Sequence, residues 1–291
     1  MSNINIKNLV YSGSGSLLPA FSGATDELFK NIDKSKIRHI CGTSGGSIYA
    51  FLLIIFGMDT GKTQRFLLDL NFKDFFDNSF GWFRDTWRLI TKGGWNKGEQ
   101  VIETLHKVLK DETGMSDITF YQLYRYTGIN FNVVVTNAET SEAIYCNFKN
   151  TPGLSVIESV RRSMSIPLVF TPRKDKHGTY IDGGVCDNFA ITLFDSYEDP
   201  SCTVGFRLRE NKGGVKREKV KGMLGMIRAV RRCWLRPQSD NDNSGVDRII
   251  YIYDGGKSGI DPLDKSEKLS LITNGRHAVQ RWLAKKDLIK I

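Results

Sequence analysis

Apolar and polar positions along this chain follow two rhythms, and each predicts a type of element. Short runs rich in β-branched and aromatic residues, at 7–11, 37–41, 130–136, 143–147, 203–207 and 248–253, predict strands. Longer stretches predict helices at about 22–31, 63–74, 97–110, 155–164, 219–235 and 265–284. The helix at 155–164 stops ahead of Pro167, which cannot continue one. A further helix at 47–56 is apolar on every side and should lie inside the core. A Gly/Ser loop at 12–16 and a tight turn at 42–46 separate the first elements, and 137–142 joins two strands as a hairpin. Strands alternating with helices give an α/β fold. In the opening β-α-β unit consecutive strands run parallel, so both loops emerge at carboxyl ends of strands, where open parallel sheets hold ligands. The one loop-like break, 237–245, comes too late to divide the chain, and a single domain over 1–291 is expected.

Composition narrows the setting. With 40% hydrophobic and 25% charged residues, 291 positions suit a soluble globular protein with one substantial core. The longest apolar run, 48–56, is far short of the ~20 residues that span a bilayer. No signal-peptide core follows Met1. Five cysteines (Cys41, Cys146, Cys186, Cys202 and Cys233) are odd in number and form no CxxC pair. That argues against a disulfide framework or a zinc site, and a cytoplasmic protein without metal is expected.

Charge is concentrated. Residues 206–236 hold eleven Lys/Arg against two Asp/Glu, a surplus equal to the whole chain's net charge of +9. Such a segment attracts an anionic surface. On the helix at 219–235, Val220, Met223, Leu224, Ile227, Val230 and Trp234 share a face with Lys221, Arg228 and Arg232 to one side. That pattern suits a helix lying on an anionic membrane, though the same stripe also serves core packing. Phe80-Gly-Trp-Phe-Arg-Asp-Thr-Trp-Arg88 interleaves aromatics with arginines, as an interfacial element or a small satellite core would. Peripheral contact with an anionic membrane is the expectation. No nucleic-acid motif accompanies the charge, so nucleic acid is not an expected partner.

The chemistry centres on Gly42-Thr-Ser-Gly-Gly46, the single G-x-S-x-G of the chain. Such a turn from strand into helix holds a serine hydroxyl out of the sheet, here that of Ser44. Gly42, Gly45 and Gly46 carry no Cβ, which lets the turn tighten and a substrate approach. The helix that follows points its positive end at any oxyanion formed there. A phosphate-binding or purely structural glycine turn is the plain alternative. A catalytic serine needs a base. His39 lies in a strand and reads as packed, His106 in a helix, and His177 in a polar turn. Only His277 follows in the chain order of an α/β-hydrolase triad, without a loop context of its own. Asp182, in Tyr180-Ile-Asp-Gly-Gly-Val185, ends a strand and is presented at a bend by Gly183 and Gly184. The alternative there is a turn aspartate bonding its own backbone.

Taken in order, these motifs resemble the patatin-like phospholipase family over nearly the whole chain. Gly42–Gly46 is similar to the family's nucleophile elbow, and Asp182-Gly-Gly184 with Val185-Cys-Asp-Asn-Phe189 behind it to its aspartate motif. Between them, Ser159-Val-Arg-Arg-Ser-Met-Ser-Ile-Pro-Leu-Val-Phe-Thr-Pro172 resembles the stretch that precedes that aspartate. Val135-Thr-Asn-Ala-Glu-Thr140 is similar to a family strand-turn, and Asp117-Ile-Thr-Phe120 to a helix start. The resemblance implies a three-layer α/β fold with a mainly parallel central sheet flanked by helices. It also implies a Ser44–Asp182 dyad without histidine, cofactor or metal, acting on acyl esters of phospholipids or lysophospholipids. The implied oxyanion loop is Gly13, Ser14, Gly15 and Ser16. It departs from the family's run of three glycines, any residue, a basic residue and a glycine. Ser14 replaces the middle glycine, Leu17 the basic residue and Leu18 the last glycine. An active hydrolase and a weakened or inactive lipid- or partner-binding module are therefore both carried forward, and an activating protein partner is left open.

Overall fold

The computed structural model describes residues 5–71, 94–209, 246–257, 259 and 262–286. The basic helix expected at 219–235 and the aromatic segment 80–88 lie outside the described residues.

A buried four-residue strand, β1 (Asn8–Tyr11), leads through the Gly/Ser loop into helix α1 (Pro19–Phe29). The helix starts three residues before the sequence expectation because Pro19 fits the first helical position, where no N–H is needed. Strand β2 (His39–Thr43) turns directly into α2 (Gly45–Ile55), every residue of which is buried, as its all-apolar surface requires. Helix α3 (Thr60–Asp69) begins where the Asp59 side chain accepts the Lys62 N–H. Strand β3 (Gly94–Asn96) precedes α4 (Glu99–Thr113) and α5 (Phe120–Thr127), the latter opened by a Thr119/Gln122 capping box.

Strand β4 (Asn130–Asn137), buried along its whole length, forms the expected hairpin with β5 (Glu142–Cys146). Helix α6 (Val156–Ser163) is followed by β6 (Leu168–Phe170), β7 (Arg173–Asp175) and β8 (Gly178–Asp182). The chain closes with β9 (Thr203–Arg209), β10 (Ile249–Tyr253) and α7 (Lys265–Lys285).

One sheet runs in the order β10-β9-β1-β2-β4-β8-β7, with β5 beside β4, while β3 and β6 pair separately. From β10 to β4 every pairing is parallel; β5, β8 and β7 are antiparallel. Side chains alternate between the two faces. Leu9, Tyr11, Ile40, Val133 and Val135 join the large core with α2 residues such as Phe51 and Leu52. Val10, Cys41 and Val134 face the other way, against Ala190 and Phe194. Helices α1 and α7 cross backbone against backbone. A Cβ on Gly23 would lie 1.9 Å from the Ile272 carbonyl oxygen, and one on Gly275 would lie 2.1 Å from that of Ala20. Among the described residues, no helix is long and apolar enough to cross a membrane.

Candidate active site

Two strands approach one edge of β4 from opposite ends. β2 runs parallel to β4 up to the pair Thr43–Val134, and β8 runs antiparallel to it and stops at the pair Asp182–Val135. Because β5 pairs with Val133 to Asn137 of β4, it must take the other edge. The residue just past the end of β2 and the last residue of β8 are therefore neighbours. Ser44 Oγ donates to Asp182 Oδ2 at 2.6 Å, with the two residues only 5% and 6% exposed.

The elbow holds Ser44 at φ 51° and ψ −126°, a conformation that L residues avoid. Its N–H, turned off the strand ladder, donates to Ser163 Oγ at 2.8 Å, and that hydroxyl donates to the Val134 carbonyl at 2.6 Å. Its carbonyl accepts the Ser47 hydroxyl (2.6 Å) and the Ser47 N–H (2.9 Å). All three elbow glycines are needed for space. A Cβ on Gly42 would sit 2.6 Å from the Gly46 carbonyl oxygen, and one on Gly46 would sit 2.4 Å from that of Ser12. On Gly45 it would meet the Gly15 carbonyl oxygen and Ser14 Oγ, each at 2.5 Å.

Asp182 uses its two carboxylate oxygens for two different contacts. Its Oδ1 accepts the Gly184 N–H at 2.7 Å, as a turn aspartate does, while Oδ2 meets Ser44. Its own N–H donates to the Ser165 carbonyl at 3.0 Å. Gly183 admits no side chain, since a Cβ would lie 2.1 Å from the Val134 carbonyl oxygen. Behind these contacts, the fully buried Arg161 binds the Lys97 carbonyl and donates to Ser165 Oγ at 2.7 Å. Ser163, Ser165 and Arg161 lie in the stretch whose likeness to the family is visible in sequence, but the serines look ordinary there. Their roles come from contacts with residues far away in the chain.

The altered loop fits its place. Ser14 sits at φ −137°, which any L residue can adopt, and the positive φ of 58° falls on Gly15. Leu17 and Leu18 are buried in the core, with Leu18 at an ordinary right-handed φ of −55°. The N–H groups of Gly13, Gly15 and Ser16 differ in what they face. Gly13 donates to the Asn188 carbonyl (3.0 Å) and Ser16 to that of Gly259 (2.8 Å). The Gly15 nitrogen lies 2.8 Å from where a Gly45 Cβ would be, so it faces the first turn of α2. In that turn the N–H groups of Gly45 and Gly46 come before the first helical bond, from Ser47 to Ser44.

The histidines are placed elsewhere. His39 starts β2, at the far end of that strand from Ser44, with its ring against Phe194 and Tyr197 and its Nδ1 3.1 Å from Asn130 Nδ2. His277 is exposed on α7, His177 lies in the exposed turn after β7, and His106 Nδ1 lies 2.6 Å from the Ser116 carbonyl. Among the described residues, no group of three or more His, Cys, Asp or Glu could hold a metal ion. Cys41, Cys146, Cys186 and Cys202 are free thiols.

Fold and site together define an α/β protein that carries a bonded serine–aspartate pair at the carboxyl end of its parallel strands. The patatin-like phospholipase family matches residues 9–195, more than half of the chain, and the chain belongs to that family. An uncharacterized protein of Acanthamoeba polyphaga mimivirus is 30% identical over 222 residues, which cover 76% of this chain and 72% of that protein. A protein of Invertebrate iridescent virus 6 named "Probable lipid hydrolase 463L" is 28% identical over 197 residues, 66% of this chain and 64% of the relative. Among solved structures, VipD from Legionella pneumophila superposes with a TM-score of 0.66 at 18% identity, over 97% of this chain and 67% of VipD. ExoU from Pseudomonas aeruginosa, solved as a heterodimeric complex with SpcU, gives a TM-score of 0.51 at 18% identity, over 97% of this chain and 52% of ExoU. At such identities the two structures speak for the fold alone.

Proposed function

We propose that this chain is a serine-dependent lipid acyl hydrolase of the phospholipase A or lysophospholipase type, one domain over residues 1–291, needing neither cofactor nor metal. The observation that carries the reading is the 2.6 Å hydrogen bond from Ser44 Oγ to Asp182 Oδ2. A serine hydroxyl needs a base, and a carboxylate at this distance is within reach of its proton. In the proposed reaction Ser44 Oγ attacks the ester carbonyl while Asp182 takes the proton, then returns it to the departing alcohol. A water then attacks acyl-Ser44, Asp182 relays its proton to Oγ, and the fatty acid leaves. Charge developing on the carbonyl oxygen falls to the N–H groups of Gly15 and Gly45 and to the positive end of α2. Family membership and the relative named a lipid hydrolase favour lipid esters as substrates.

Fatty-acid release from mixed phospholipid vesicles tests the proposal. Ser44→Ala and Asp182→Asn should each abolish it, and an unchanged rate in either variant would end the reading. The rival, an inactive binding module, draws on Ser14, Leu17 and Leu18; the negative φ of Ser14, which does not call for glycine, and the retained positive φ of Gly15 weigh against it. Covalent capture of Ser44 by a fluorophosphonate probe would dispose of that rival. The proposed partner besides substrate is an anionic membrane surface, met through the basic segment 206–236. Flotation with phosphatidylserine vesicles, but not with neutral ones, is the expected outcome.

A further inference from the structure

We infer that the Asn188 carboxamide positions the hydrolytic water for release of the acyl group, an inference that rests on the serine–aspartate hydrolase reading. The backbone of this residue does something separate. Its carbonyl accepts the Gly13 N–H at 3.0 Å, which any side chain at this position would allow. The side chain is accommodated by two glycines. A Cβ on Gly13 would lie 2.1 Å from Asn188 Oδ1, and one on Gly184 would lie 2.7 Å from it. The same Gly13 position is 3.5 Å from Ser44 Cβ, and the same Gly184 position is 2.9 Å from Asp182 Oδ1. The carboxamide thus borders the space shared by both members of the pair. Among the described residues it has no hydrogen-bond partner.

Release of the acyl group creates a need that this group meets. Once Ser44 is acylated its hydroxyl proton is gone, and Asp182 Oδ2 no longer receives it while Oδ1 still holds the Gly184 N–H. A departing lipid alcohol is tethered by the rest of its molecule. Water has no tether and must be oriented by hydrogen bonds alone. Asp182 Oδ2 accepts one O–H of the water and Asn188 Oδ1 the other, so that a lone pair faces the acyl carbon. The new C–O bond forms as Asp182 takes the first proton. The tetrahedral intermediate then collapses, the C–Oγ bond breaks, the proton passes from Asp182 to Oγ, and the fatty acid departs. An amide oxygen does not ionise, so Asn188 stays an acceptor without competing as a base. It is a positioning residue.

Pre-steady-state hydrolysis of 4-nitrophenyl decanoate by the full chain separates the two halves: the burst reports acylation and the steady rate reports release. In Asn188→Ala and Asn188→Leu, acylation should change by less than about threefold while release slows about tenfold, the scale of one lost hydrogen bond. Acyl-Ser44 should accumulate in the intact mass. Leucine branches as asparagine does and keeps the space filled, so its melting temperature should match the wild type while the kinetic split persists. Unchanged release in both variants would overturn the inference. So would acylation and release falling together with the melting temperature, which is the signature of packing. A wild type that never forms acyl-Ser44 would overturn the hydrolase reading as well, an outcome distinct from normal wild-type turnover with indifferent Asn188 variants.

Discussion

Ser163 is where stability and catalysis should be most tightly joined. The positive φ of Ser44 turns its N–H away from the ladder, and the Ser163 hydroxyl is the acceptor that satisfies it, at 2.8 Å. The same hydroxyl is anchored by donating to the Val134 carbonyl at 2.6 Å, and the residue is fully buried. Ser163→Ala leaves the Ser44 N–H without its partner in a place that water does not reach. An unsatisfied buried donor costs about 1–3 kcal/mol, which in a chain of this size lowers the melting temperature by roughly 2–6 °C. The elbow should also relax, carrying Oγ away from Asp182. Displacement of reacting atoms by about 1 Å can cost on the order of a hundredfold, so kcat should fall at least about tenfold with KM little changed. Thermal melts and steady-state ester hydrolysis on one preparation measure both effects. Ser159→Ala is the control, because that serine lies one turn earlier on α6 and donates its hydroxyl to the carbonyl of Ser155, the residue that caps the helix (3.0 Å). A Ser163→Ala protein with wild-type melting temperature and kcat would refute the account, as would an equal effect in the control.

Three further outcomes are expected. Ser44→Ala and Ser44→Gly remove the same hydroxyl, but only glycine relieves the positive φ, a strain of ~1–2 kcal/mol set against ~0.5–1 kcal/mol of extra chain entropy; calorimetry should find the glycine variant the more stable by about 1 kcal/mol, and a glycine variant no more stable than alanine would contradict the strain. Gly275→Ala drives a Cβ to 2.1 Å from the Ala20 carbonyl oxygen, so denaturant unfolding should show a loss of about 1–3 kcal/mol, and neutrality would mean that α1 and α7 do not touch through their backbones. Burial, ahead of any neighbouring charge, holds the His39 pKa below its ordinary 6.5. The unfolded chain therefore binds more protons there, and stability present above pH 6.5 declines as pH falls through the folded value; His39→Gln should flatten that decline in melts between about pH 7.5 and about pH 5, and an unaltered slope would assign it elsewhere.

Much of this was legible in the sequence where local pattern decides structure. The strand before the elbow, the all-apolar α2 and the aspartate ending a strand each follow from a run of side chains and the glycines beside it. Strand β7 did not announce itself, because Arg173-Lys-Asp175 is short and polar and is ordered by pairing with β8. Helix α5 is only eight residues long, and its start shows mainly as the Thr119/Gln122 box. The loop at 13–16 departs in sequence from a run of glycines, and what the pattern does not show is that positive φ falls there on Gly15 alone. Ser163 and Asn188 were invisible as site residues for a different reason. What they do depends on partners that a one-dimensional pattern cannot pair with them.

Opposed strands on one edge explain how a serine and an aspartate meet here without a histidine between them. An aspartate side chain is short, and it can meet a serine only if the two backbones come close. A loop-borne base gains reach from a longer side chain and needs a further group to orient it. Here the sheet supplies proximity, because β2 ends opposite Val134 and β8 ends opposite Val135 on the same strand. Orientation comes from outside the sheet: the Asp182 N–H is held by the Ser165 carbonyl at 3.0 Å and its Oδ1 by the Gly184 N–H at 2.7 Å. The carboxylate is thereby fixed with Oδ2 aimed at Ser44. This arrangement fixes what the glycines are for. A side chain on Gly183 would strike the Val134 carbonyl and lift β8 off the edge, and one on Gly42 would strike the first turn of α2. The glycines beside Ser44 and Asp182 thus let the backbones close, while the Ser163 hydroxyl and the Ser165 carbonyl hold the two residues in place.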